Sequence, residues 1–90
     1  MILITPLETR SEKVDSTFWF SYGFGAGLSA TLCDLVDSGV ITNIESKMFT
    51  SNFEESLDDP EVSESFDIEA LAQGFNDIVP EFNNCRIKLY

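Results

Sequence analysis

The spacing of hydrophobic residues changes several times along the chain, and each spacing predicts a different element. Residues 2–5 begin with a short apolar run that Pro6 ends, which is typical of a buried strand. Between 17 and 24, large aromatic residues recur at every second position, which predicts another strand. Residues 85–90 alternate in the same way and predict a third strand, with Arg86 and Lys88 facing water.

Three other segments carry apolar residues at helical spacing. The first covers about 26–38, where Leu28, Leu32 and Leu35 share a face. The second covers about 43–57. The third covers about 66–79 and has the widest apolar stripe of the three.

These elements together predict one α+β domain over residues 1–90, because ninety residues leave no room for a second core. The prediction is a small three-stranded sheet (about 2–5, 17–24 and 85–90) with three helices (about 26–38, 43–57 and 66–79) on one face.

Charge is the unusual property of this composition. Sixteen acidic residues face five basic ones, which gives a net charge of −11. The imbalance is concentrated in residues 48–85, which contain no Lys or Arg at all. Such a chain repels nucleic acid and anionic membrane, so we expect no direct nucleic-acid or membrane binding. We expect its partners to be basic protein surfaces.

The residues that are missing restrict the chemistry. There is no histidine, which is the commonest general base and metal ligand. We therefore predict a protein that is not an enzyme, with no catalytic residues, no metal and no cofactor. The two cysteines, Cys33 and Cys85, are predicted to be reduced thiols, and the protein to be cytoplasmic.

Two glycine-containing stretches suggest ligand loops. Residues 34–45 follow the spacing of an EF-hand calcium loop, with Gly39 at the sixth place and Glu45 at the twelfth. However, the third place is Val36, which offers no side-chain oxygen, so a turn between two helices is favoured and calcium is a lesser alternative. Residues 23–27, GFGAG, lack the residues of a phosphate loop and predict a flexible turn.

Eight carboxylates within sixteen residues form the strongest candidate site. Their charge density is close to that of one DNA strand, which carries a charge about every 3.4 Å. The predicted partner-binding residues are Glu54, Glu55, Asp58, Asp59, Glu61, Glu64, Asp67 and Glu69.

We therefore predict an acidic binding protein. In charge and size it resembles the DNA-mimic inhibitors of phages and mobile elements, which implies a partner enzyme with a basic nucleic-acid groove. The alternative is a structural or assembly subunit. In that case the aromatic residues in 18–24 would form a patch through which the chain self-associates as a homo-oligomer.

Overall fold

The protein is a small all-helical domain in the part of the chain that the structure describes. This structure, a computed structural model, describes the backbone of residues 6–90 and the side chains of residues 16–90. No strand or sheet occurs in that part, so the α+β prediction is wrong. The helices are α1 (Pro6–Asp37), α2 (Asn43–Ser56), α3 (Pro60–Ser65) and α4 (Ile68–Ile78), followed by a 3-10 turn at Val79–Glu81.

The predicted strand at 17–24 lies inside α1, and the reason is a helical pattern of small residues. Ser21, Gly25 and Ser29 recur at every fourth position and all are buried. Their face points at α4, whereas the aromatic residues of the same stretch lie to either side of it. The spacing of hydrophobic residues does not reveal this buried face, because serine and glycine are not counted as hydrophobic residues.

Glycine brings the backbones of α1 and α4 into direct contact. A Cβ at Gly25 would overlap the carbonyl oxygen of Leu71, and a Cβ at Gly74 would overlap that of Tyr22. A glycine inside a helix costs about 1 kcal/mol relative to alanine. The close packing of two long surfaces offsets this cost, which is why α1 tolerates a sequence that predicts a turn at 23–27.

The stretch 34–45 is a helix–turn–helix connection, as favoured above. The Gly39 N–H donates to Val36 O and the Val40 N–H donates to Leu35 O, the Schellman arrangement that ends a helix. Gly39 has a φ of 81°, a conformation that favours glycine. Thr42 and Glu45 then form a capping box at the start of α2.

The three predicted helices correspond to helical parts of the structure. The segments 43–57 and 66–79 match α2 and α4, and 26–38 is the second half of the longer α1. The short helix α3 lies between the predicted segments 43–57 and 66–79, where the sequence predicted no element. The Asp59 carboxylate caps it by accepting the Glu61 N–H at 2.9 Å, and Pro60 takes the first helical position.

The predicted strand at 85–90 is extended but pairs with no other strand. Cys85, Ile87 and Leu89 are buried and the residues between them are exposed, so the alternating burial is confirmed. Hydrogen bonds from side chains of the helices take the place of a sheet. The third predicted strand, 2–5, lies outside the described residues.

A disulfide fixes this extended segment to α1. Cys33 and Cys85 are bonded, with their Cα atoms 5.2 Å apart, so the prediction of two reduced thiols is wrong. The bond lies in the core beside Leu71 and Phe75 of α4, both fully buried. None of the helices described in residues 6–90 is both long and apolar enough to cross a bilayer.

Candidate binding surface

The eight predicted carboxylates follow the path of the chain from the end of α2 to the start of α4. Glu54 and Glu55 lie in the last turn of α2, and Asp58 and Asp59 in the turn that follows. The others are in α3 or at the start of α4: Glu61, Glu64, Asp67 and Glu69.

Three of the eight have roles within the fold. Asp59 caps α3, and Asp67 caps α4 by accepting the Ala70 N–H at 3.1 Å. The backbone N–H of Asp67 donates to the buried Ser21 hydroxyl at 2.8 Å, which joins the start of α4 to α1. Glu54 accepts the Tyr90 N–H at 2.6 Å. These two helix caps and the contact with Tyr90 explain the presence of the three carboxylates without a partner.

The other five carboxylates are exposed, and no described Lys or Arg forms a salt bridge with them. They are Glu55, Asp58, Glu61, Glu64 and Glu69. The cations with described side chains, Lys47, Arg86 and Lys88, line a groove of about 300 Å³ between α2 and residues 86–88, together with Glu54. Lys88 also lines a second pocket with Glu69, without a salt bridge between them. The other four exposed carboxylates line neither of these pockets.

The negative charge of this region affects the pKa of Tyr90. Burial raises the pKa of its phenol above the ordinary value, and the charges of Asp58 and Glu54 raise it further. Both carboxylates disfavour a phenolate because like charges repel. The turn after α2 is thus a site of negative potential that a cation would neutralise.

Five phenylalanines form a strip of contacting rings, of which three are exposed and two are partly buried. We call it the aromatic strip: Phe20, Phe24, Phe49, Phe53 and Phe66. The sequence predicted only the part of this strip that lies in 18–24. Ring centroids are 5.6 Å apart for Phe20 and Phe66, 5.1 Å for Phe66 and Phe24, and 6.4 Å for Phe24 and Phe53. Phe49 continues the strip from Phe53, also at 6.4 Å. The strip thus crosses from α1 to α2 and to the junction of α3 and α4.

Exposure within the aromatic strip is large. Phe20 is 61% exposed, Phe49 is 46% and Phe24 is 43%. Phe66 follows Glu64 by two residues, so the strip reaches the acidic part of the chain. Exposed aromatic surface of this kind is typical of sites that bind another macromolecule.

A second group of rings lies on another side of α1. Trp19 packs edge-on against Phe18 and Tyr22, with centroids 4.9 and 5.5 Å away, and remains 60% exposed. The Tyr22 hydroxyl donates to the Asp77 carboxylate at 2.7 Å. This hydrogen bond raises the pKa of Tyr22, and burial and the Asp77 charge add to the effect.

The stretch 34–45 uses its acidic end for structure. The Glu45 carboxylate accepts the Thr42 N–H at 2.9 Å, and Val36 belongs to the core. Within the side chains described for residues 16–90, no three His, Cys, Asp or Glu residues group as metal ligands would. The fold thus accounts for Gly39, Thr42 and Glu45 of the stretch.

Comparisons do not assign the chain to a family. No protein-family model, no curated protein and no solved structure matches it. The charge of the surface and its exposed rings are therefore the features of this chain that bear on its function.

Proposed function

We propose that this chain is a non-enzymatic binding protein that meets a positively charged partner surface through its exposed carboxylates. The observation that carries the proposal is the group Glu55, Asp58, Glu61, Glu64 and Glu69, which no described cation neutralises. Concentrated like charge lowers folding stability through self-repulsion. A basic partner relieves that repulsion and is steered to the surface at low salt.

The aromatic strip adds a second requirement to the partner. Carboxylates alone bind any cation weakly, because each exposed ion pair contributes only about 0.2–1 kcal/mol. Exposed phenylalanines contribute burial of apolar area, about 25 cal/mol per Å². We therefore expect a partner surface that carries both Lys or Arg and apolar side chains.

A basic nucleic-acid groove of an enzyme is the more specific form of this proposal. The imitation of a phosphate strand would then depend on five carboxylates rather than eight, because Glu54, Asp59 and Asp67 serve the fold. The cytoplasmic location also remains a proposal. Its original basis, two reduced thiols, no longer holds, since disulfides are normally kept in oxidising compartments.

Two charge-matched variants test the proposal. The surface variant changes Asp58 to Asn and Glu61 to Gln. The control variant changes Asp34 to Asn and Glu81 to Gln, two exposed residues outside the acidic stretch. Each variant removes two negative charges from −11, so both carry −9. The probe is a synthetic helical peptide with Lys on one face and Leu on the other, and affinity is measured by fluorescence anisotropy.

The surface variant should bind the peptide about tenfold or more weakly than the wild type. The control variant should bind with an affinity within about threefold of the wild type. Added salt should weaken its binding more than that of the surface variant, because the control variant keeps the carboxylates that meet the peptide. Equal weakening in both variants would show that net charge alone governs binding and would reject the proposal.

Self-association is a second candidate, and the exposure of the aromatic stretch favours it. Trp19 and Phe20 are 60% and 61% exposed, on different sides of α1. If the stretch 18–24 joins copies, the molar mass measured by sedimentation should rise with concentration. Trp19→Ser with Phe20→Ser should then restore a monomer, whereas Val40→Ser with Ile44→Ser, also exposed, should not. A wild-type monomer at every concentration would exclude this candidate.

A further inference from the structure

Residues 83–90 are held like a bound peptide. The Asn76 side chain donates to Leu89 O and accepts the Leu89 N–H, both at 2.8 Å. Asn43 does the same for two different residues, since it donates to Asn84 O at 2.6 Å and accepts the Arg86 N–H at 2.9 Å. Two side-chain amides therefore replace the main chain of a neighbouring strand.

Carboxylates hold both ends of the same segment. Asp37 accepts the N–H groups of Asn83 and Asn84, at 3.3 and 3.1 Å. Glu54 accepts the Tyr90 N–H. Within the described chain, residues 83–90 make no main-chain hydrogen bond to another main chain, so all these contacts belong to side chains of α1, α2 and α4.

The side chains of the segment alternate between buried and exposed positions, as those of a bound extended peptide do. Cys85, Ile87 and Leu89 are at most 4% exposed and pack into the core between the helices. Arg86, Lys88 and Tyr90 point away and are exposed. Sites that bind extended peptides use this division, in which main-chain hydrogen bonds give affinity and pockets for alternate side chains give specificity.

We infer that the groove between α1, α2 and α4 is a peptide-binding site for extended chains with aliphatic residues at alternate positions. In this structure the chain's own residues 83–90 occupy the groove. In the exchanged form, residues 83–90 of a second copy take their place. The exchanged segment finds the same amides, carboxylates and pockets, so each groove loses no contact in the exchange.

The disulfide controls the exchange, because the bond between Cys33 and Cys85 keeps the segment attached to its own groove. A dithiol reductant transfers two electrons and two protons to this bond, which gives two thiols while the dithiol becomes a disulfide. After exchange, a small-molecule disulfide such as oxidised glutathione takes up two electrons and two protons from the two thiols, becomes two thiols itself, and so joins Cys33 of one copy to Cys85 of the other. This inference does not depend on the proposed function.

Two single variants test the exchange. The Cys33→Ser chain can only donate its segment covalently, and the Cys85→Ser chain can only receive one. Mixed in a buffer of reduced and oxidised glutathione, they should form a dimer linked from Cys33 to Cys85. Mass spectrometry should show about tenfold more of it than of the symmetric dimers that either variant forms alone.

Substitutions in the donor segment provide a matched control. In the Cys33→Ser chain, adding Ile87→Ser and Leu89→Ser should abolish the mixed dimer, because both residues occupy buried positions. Adding Arg86→Ser and Lys88→Ser, on the exposed face, should leave it. Equal effects of the two pairs, or symmetric dimers as abundant as the mixed one, would overturn the inference.

A synthetic peptide tests the same groove even if one of these variants fails to fold. The wild-type chain in glutathione buffer is offered the peptide NNCRIKLY, which is residues 83–90, or NNCIRLKY, in which the aliphatic residues fall on the other face. Cys33 should capture the first about tenfold more than the second. Equal capture, or none, would overturn the inference.

Discussion

The backbone of Gly74 in α4 lies directly against the backbone of Tyr22 in α1, at a distance that leaves no room for a Cβ. Gly25 meets the Leu71 carbonyl in the same manner from the opposite helix. Each helix thus presents one glycine to the main chain of the other. This pair of contacts sets the separation of the two helices that form most of the core.

We predict that Gly25→Ala and Gly74→Ala each lower the free energy of unfolding by about 3 kcal/mol. The added methyl group meets backbone rather than a flexible side chain, so the helices must separate and the core loses contacts. Chemical denaturation monitored by helical circular dichroism measures the change.

The other two helical glycines of α1 provide the control. A Cβ at Gly23 or Gly27 would meet nothing within 4 Å. Gly23→Ala and Gly27→Ala should therefore raise stability by about 0.5–1 kcal/mol, because alanine favours the helix. The same sign of change at all four positions would contradict the packing described for α1 and α4.

The sequence predicted the helices that carry apolar stripes and missed the one that carries a small-residue face. The segment of α4 was predicted because Leu71 and Phe75 recur at helical spacing. Residues 17–24, in the middle of α1, were mistaken for a strand because Ser21 and Gly25 form the buried face there. Nothing in hydrophobic periodicity reports which glycine will touch another backbone.

The candidate site was predicted by charge and corrected by geometry. The acidic residues were visible as a charge imbalance, but Asp59 and Asp67 precede helices whose starts were only partly foreseen, so their capping roles were missed. The aromatic strip needed the fold, because Phe20, Phe49 and Phe66 are distant in sequence. The disulfide likewise joins positions 52 residues apart.

Removal of the disulfide should lower the free energy of unfolding by roughly 4 kcal/mol, the chain-entropy value for a loop of this length. The comparison is between the wild type and the Cys33→Ser, Cys85→Ser double variant. A reducing agent should lower the stability of the wild type to that of the double variant and leave the double variant unchanged. Equal stability of both chains without reductant would contradict the bond.

The Asn76→Ala substitution should destabilise the chain by about 2 kcal/mol, because it leaves the N–H and C=O of Leu89 without their partner. Asn52→Ala is the control, since Asn52 is exposed on α2 and makes no hydrogen bond with a described side chain. Amide hydrogen exchange should speed up at Leu89 in the first variant and not in the second. Unchanged hydrogen exchange at Leu89 would contradict the two hydrogen bonds between Asn76 and Leu89.

Tyr22 should ionise above pH 10, because its neutral hydroxyl donates to the Asp77 carboxylate. A raised pKa in the folded state means that this bond stabilises the fold below about pH 10. The contribution is lost as the pH rises through the raised pKa. The ultraviolet absorbance of the phenolate follows the titration in a Tyr90→Phe background, where Tyr22 is the only tyrosine left.

In that background, Asp77→Asn should lower the pKa of Tyr22 towards its ordinary value, since the amide carries no charge. Asp58→Asn should leave it unchanged, because Asp58 acts on Tyr90. A titration that neither substitution alters would exclude the hydrogen bond as the cause.

A map of where a cationic partner touches the protein tests the acidic binding surface most directly. Nuclear magnetic resonance of the isotope-labelled chain, titrated with the Lys–Leu helical peptide, reports the amides that change on binding. We predict that the changes concentrate in residues 54–69 and at Phe20, Phe24 and Phe49. Changes spread evenly over the chain, or centred elsewhere, would contradict the proposed acidic binding surface.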